Sequence, residues 1–267
     1  MRWSWSPPAA LRTVFSALVS IAAVIALWYA FLAVADIDPL VAKDPQDVWV
    51  HLFTDPEAGE HRSVLLDGLW QTLTDASVGF VVGLASAVAV AMLFVLSSTI
   101  ERSFMPIALI LRSVPLVAMT PVLTLVFGRE VLATTVIVAI VVFVPALVNM
   151  VFGLRSAPSQ AADLVRAYGG GKGVLLRKVM LPSALPALFV SARISVPAAL
   201  IGALLAEWLA TGKGLGQAML RDSAMYRYDQ LWSSVVAVTV ASLLVYGFIG
   251  LLERLVLRRW GPVPQPR

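Results

Sequence analysis

The 267-residue sequence has no cysteine, which excludes disulfide staples, thiolate metal sites and cysteine nucleophiles. Histidine is nearly absent. His51 and His61 stand ten residues apart in an acidic stretch, without the close paired spacing of a zinc helix, so both are expected at the surface and no metal site is expected. Neither falls in a long apolar run, which excludes a serine–histidine pair facing inward within a membrane bundle. Charge is scarce too, at 13% of residues against about 25% in soluble domains. A phosphate loop is also missing. Gly170-Gly171-Lys172-Gly173 has no glycine five residues before Gly171 and no Ser or Thr after Lys172, so the cradle for phosphate and Mg²⁺ is incomplete. The chain is not expected to hydrolyse ATP, act as an enzyme or carry a cofactor.

What is present is apolar surface. With 59% hydrophobic residues and a mean hydropathy of +0.86, the chain reads as an all-α polytopic membrane protein. Residues 14–35 follow Arg2, Trp3, Trp5 and Arg12 and are long enough to span a bilayer, so this run reads as a retained helix and not a signal core. Residues 36–67 are acidic. Further spans are expected at 69–96, 104–127, 132–152, 184–207 and 231–252, six in all. Gly79 and Gly83 give the second a small-residue face for close helix approach. Pro106, Pro115 and Pro121 interrupt the third, Pro145 lies in the fourth and Pro197 in the fifth; prolines in spans free carbonyls and permit bends.

The net charge of +4 and pI of about 9.7 suggest nucleic acid less than topology, because Lys and Arg are unevenly distributed. Arg2, Arg12, Arg102, Arg155, Arg166, Lys172, Arg177, Lys178, Arg254, Arg258, Arg259 and Arg267 fall on the side of the termini; Lys43, Arg62, Arg129, Lys213, Arg221 and Arg227 fall on the other. The positive-inside rule then puts both termini in the cytoplasm. The expected organisation is a cytoplasmic start (1–13), one membrane domain (14–255) with a cytoplasmic loop at 153–184, and a cytoplasmic tail (256–267). No separate soluble domain is expected.

That central loop is the most informative stretch. Ala161, Leu164, Val165 and Tyr168 recur at helical spacing, with Gln160, Asp163 and Arg166 turned away, predicting a short amphipathic helix over 160–168. Gly169 to Gly171 end it. A second helical piece is expected over 174–180, stopping before Leu181-Pro182.

Asp163, Gly169 and Val179-Met180-Leu181-Pro182 resemble the cytoplasmic signature of ATP-binding-cassette importer permeases, which runs Glu-Ala-Ala, three residues, Gly, nine residues, Ile-x-Leu-Pro. The spacing fits without a gap; Asp stands for Glu, Leu164-Val165 for two alanines and Val179 for Ile. Trp70-Gln71-Thr72-Leu73, Leu111-Arg112-Ser113-Val114-Pro115-Leu116, Leu181-Pro182 with Leu185-Pro186, and Ala206-Glu207 followed by Gly214-Leu215-Gly216 are similar to the nitrate, sulfonate and taurine branch. The likeness covers roughly residues 65–255. It implies a type I importer permease fold in the bacterial cytoplasmic membrane. It also implies a pore of two such subunits, cytoplasmic ATPase subunits and an extracytoplasmic substrate-binding protein. The short helix is then the coupling helix, with Asp163, Arg166, Ala167, Tyr168 and Gly169 as ATPase contacts and Leu181 and Pro182 holding its return to the membrane. The other reading of this helix is one lying on the lipid surface.

Arg112 and Arg193 stand within apolar runs, where an arginine must face a partner, cavity or interface. For an anion importer both can line the route; for Arg193 a structural role near the cytoplasmic third is the competing reading. Pro115 and Met119 join Arg112 as pathway candidates. Glu207 reads either as a gate or binding-protein contact or as an interfacial carboxylate. Trp208 reads as packing. The function expected is a permease for a small anionic solute, working by alternating access. The alternative is an ion-gradient-driven secondary transporter, for which Asp75 is the acidic residue best placed within a span.

Overall fold

The computed structural model describes residues 9–260, which form helices joined by short turns and loops, with no strand among them. The basic start at Arg2 with Trp3 and Trp5, and the end of the tail at Arg267, lie outside the described residues. Five helices are long and apolar enough to cross a membrane: α1 (Ala9–Ala35, apolar from Phe15), α3 (Ala58–Leu96), α6 (Val131–Arg155), the continuous stretch Lys172–Thr211, and α11 (Tyr228–Trp260).

The third expected span, 104–127, is not one helix. It divides into α4 (Ser98–Ser113) and α5 (Leu116–Phe127), bent by 106°. The break falls at Pro115, while Pro106 and Pro121 stay inside their helices. Val114 precedes the proline and adopts the extended φ −78°, ψ 125°, as the clash with a following pyrrolidine ring favours. Pro115 then serves as N-cap for α5.

The stop expected before Leu181-Pro182 is also absent. α8 (Lys172–Leu175) runs through the π-turn Leu176–Met180 into α9 (Leu181–Ala206). Proline cannot donate to the ladder and crowds the carbonyl four residues back. Here the widened turn, with the Leu181 N–H on the Leu176 carbonyl, accommodates Pro182 without ending the helix. A second π-turn, Glu207–Thr211, continues α9, and α10 (Gly214–Ala224) follows.

The chain forms two compact units. Among the described residues, the larger comprises 66–220 with 234–260, and its centre is the α6–α9 pair. Ala146, Leu147, Met150 and Leu154 of α6 pack with Ala184 of α9 and Ala87, Ala91 and Phe94 of α3. Alanines alternate with the larger side chains, as suits helices that associate in lipid by close packing and not by expulsion of water. A Cβ on Gly79 would fall 2.4 Å from the Val138 Cβ, and one on Gly83 2.8 Å from the Ala139 carbonyl, so the predicted small face is the one on which α6 lies. Arg155 at the end of α6 pairs with Glu101 of α4, and Lys172 reaches the Leu96 carbonyl at 3.4 Å.

Among the described residues, the smaller unit comprises 9–65 with 221–233. The acidic connection is partly helical here. α2 (Pro45–Trp49) opens with a reciprocal capping box between Asp44 and Asp47 and passes into the π-turn Val50–Thr54. Trp28 stacks on Trp232 at 5.4 Å, the Trp232 indole donates to the Val41 carbonyl at 2.9 Å, and Lys43 pairs with Asp229 at 3.3 Å. The two histidines are not both surface groups. His51 is buried and stacks on His61 at 3.9 Å between ring centres. Burial, then the neighbouring His61, pushes the His51 pKa below its ordinary value; Asp229 and Asp55 oppose this and Lys43 adds to it.

Candidate functional site

Between α6 and α8 lies α7 (Ser159–Ala167), within a residue of the helix predicted from periodicity. Its end is a Schellman turn. Gly169 takes φ +76° and donates its N–H to the Arg166 carbonyl at 2.9 Å, while the Gly170 N–H reaches the Val165 carbonyl at 2.8 Å. Gly169 is required by its left-handed backbone and Gly170 by space, since a Cβ there would fall 2.5 Å from Val165 Cγ1. Asp163 and Arg166 pair at 3.0 Å across one turn, both well exposed, an interaction of a few tenths of a kcal/mol (~0.3).

The apolar residues of α7 do not share one environment. Ala161 and Val165 are half-buried, whereas Leu164 is 59% and Tyr168 86% exposed, and no residue of α7 is buried. Ala167 and Gly169 are exposed as well. The helix therefore presents Leu164, Ala167 and Tyr168 beside the Asp163–Arg166 pair, away from its own chain. Leu181 is half-buried and Pro182 exposed, both inside the continuous helix that follows.

The family described as "Binding-protein-dependent transport system inner membrane component" matches residues 79–261. The chain belongs to this family. The permease is 29% identical over 240 residues to a probable ABC transporter permease protein of Haemophilus influenzae, covering 90% of this chain and 96% of the relative. It is 27% identical over 196 residues to the formylaminopyrimidine transport permease protein ThiX of Halalkalibacterium halodurans (73% and 78% covered). To the taurine transport system permease protein TauC of Escherichia coli it is 25% identical over 260 residues (96% and 92%). Such relatives bear out the resemblance to the nitrate, sulfonate and taurine branch. A chain of the inward-facing MetNI methionine ABC transporter superposes with a TM-score of 0.61 at 23% identity, covering 76% of the permease and 98% of that chain. The permease thus shares the type I importer fold.

The candidate pathway residues are scattered. Arg112 is exposed in the last turn of α4, Pro115 is exposed at the 106° bend, and Met119 is half-buried in α5. Arg193 lies apart from them. Its guanidinium is 3.1 Å from the Glu253 carboxylate of α11 and 5.2 Å from the centre of the Tyr246 ring. A carboxylate of the same chain thus stands against its charge. Tyr246 and Glu253 carry no sequence motif that would have marked them.

Glu207, read from sequence as a gate, a binding-protein contact or an interfacial carboxylate, is fully buried, at 0% exposure. Its Oε2 accepts from Thr72 Oγ1 at 2.9 Å and from the Gly216 N–H at 2.7 Å, and Thr72 Oγ1 in turn accepts the Leu215 N–H at 3.0 Å. Three sequence stretches that share the family resemblance, at Thr72, Glu207 and 214–216, meet at one point. Their similarity to the family was legible; their contact was not. Asp75 is likewise buried and accepts from Gln71 Nε2 at 3.1 Å.

Proposed function

We infer that the permease is the membrane half of an ATP-driven importer in the bacterial cytoplasmic membrane, with both termini in the cytoplasm. It pairs with a second permease subunit, a second copy of this chain being the simplest partner. A separate ATPase supplies the energy and an extracytoplasmic binding protein delivers the solute. The observation that carries this reading is α7, a capped helix between two spans that leaves Leu164 and Tyr168 uncovered beside a charged pair. A partner groove that covers Tyr168 and Leu164 gains apolar contact, and α7 is joined through α8 to a helix that continues without a break to Thr211. Movement of the docked helix therefore acts directly on a span that packs at the centre of the unit. The family membership supports this over ion-driven transport.

The solute proposed is small and anionic, of the sulfonate, nitrate or taurine type, as the taurine-transport relative suggests. Arg112 remains the cationic candidate for its route, with Pro115 and Met119 beside the bend, whereas the charge of Arg193 is matched within the fold.

Co-expression with candidate ATPase subunits tests the reading. An ATPase should co-purify with the wild type and be lost from a folded Asp163→Ala, Gly169→Trp double variant. A folded wild type that retains none of the ATPases overturns it. Transport in proteoliposomes of the assembled complex, with taurine and an aliphatic sulfonate set against formylaminopyrimidine, tests the solute class.

A further inference from the structure

The buried carboxyl group of Glu207 lies at the opposite end of α9 from α7, where the helix widens into a π-turn. The surroundings leave it incompletely held. Oε2 has two donors, but Oε1 is buried with no hydrogen-bond partner among the described residues, an arrangement that costs free energy and calls for an explanation. Thr72 is also unusual. Its hydroxyl has one proton, yet two acceptors lie within reach, Glu207 Oε2 at 2.9 Å and the Gly68 carbonyl at 3.1 Å. If Glu207 withdraws, that proton turns to the Gly68 carbonyl, so the Thr72 hydroxyl keeps an acceptor. The segment that would move contains two left-handed glycines, Gly212 at φ +67° and Gly214 at φ +76°, and a Cβ on Gly214 would fall 2.3 Å from the Glu207 carboxyl.

We propose that the Thr72–Glu207 hydrogen bond is a latch that holds residues 207–216 closed on α3, and that it parts and re-forms once in each transport cycle. Glu207 is a positioning residue, not a solute ligand: it acts through the N–H of Gly216 and, by way of Thr72, that of Leu215. The parting step rests on the importer reading; the holding role does not.

Because the chain has no cysteine, introduced thiols report without background. Leu215 is 1% exposed, so a Leu215→Cys variant of the full chain in membranes should react slowly with a water-soluble maleimide. Adding Thr72→Val, or Glu207→Leu in a separate variant, either of which removes the hydrogen bond, should raise that labelling rate about tenfold. Unchanged labelling in both overturns the latch.

A Gly68→Cys, Leu215→Cys pair closes the same contact covalently; a Cβ on Gly68 lies 3.7 Å from the Leu215 backbone nitrogen. In the complex with its co-purified ATPase, the disulfide form should hydrolyse MgATP at least fivefold more slowly than the reduced form, and reductant should restore the rate. Equal rates overturn the parting step. If no ATPase accompanies the cysteine-free parent, the importer reading has failed instead, and the labelling arm still decides whether the bond holds 207–216.

Discussion

The Arg193 guanidinium of α9 lies 3.1 Å from the Glu253 carboxylate of α11, with both side chains largely covered. An intramembrane charge removed from its partner leaves the other uncompensated. Arg193→Ala and Glu253→Ala should each lower stability by about 2 kcal/mol, between the surface and buried limits for such pairs. The exchange Arg193→Glu with Glu253→Arg should recover most of it in a thermal unfolding series in detergent. An exchange no better than the single variants would show that the pair is not what fixes α11 here.

Tyr168 is 86% exposed on α7, so Tyr168→Ala should leave the unfolding midpoint unchanged while ATPase retention on purification falls severalfold. Equal retention would remove Tyr168 from the contact.

The backbone at Gly169 predicts a different signature. Alanine there, at φ +76°, costs about 1 kcal/mol of local stability, and hydrogen exchange should quicken across 159–170 while the spans stay protected. Unaltered exchange would mean the turn tolerates a side chain.

Two glycines should behave oppositely. A Cβ on Gly216 would fall 2.3 Å from the Leu204 carbonyl oxygen, whereas one on Gly247 meets nothing within 4 Å. Gly216→Ala should lower stability by about 2 kcal/mol through forced backbone movement. Gly247→Ala, inside α11, should raise it by about 0.5 kcal/mol. Parallel thermal melts of the two variants check both signs.

His51 sets a pH dependence. Its folded-state pKa lies below 6.5, so between that value and 6.5 the unfolded segment binds more protons than the folded one. The contribution is complete above pH 6.5 and is lost as pH falls through the folded pKa. Residues 45–62 should therefore lose hydrogen-exchange protection on going from pH 8 to pH 5, after correction for intrinsic rates, and His51→Phe should abolish the change. Persistence of the effect in that variant would assign it to another group.

The sequence by itself determined that this is a helical membrane protein, where most spans lie, that a short helix ended by glycines stands within a residue of 160–168, and which family the chain resembles. Those features are local or periodic. An apolar run of about 20 residues declares a span, and Gly169-Gly170 after a helical repeat declares its stop.

Tertiary structure decided the rest. Whether Pro115 or Pro182 breaks a helix depends on the surrounding backbone: a lone proline is compatible with a 106° bend or with a π-turn that runs on. The fate of each buried charge was decided in the same way. Arg193 and Glu253 are 60 residues apart and Thr72 and Glu207 are 135 apart. No spacing rule links such pairs, because their partners are chosen by which helix faces meet once small residues such as Gly79 and Gly83 have let the helices close.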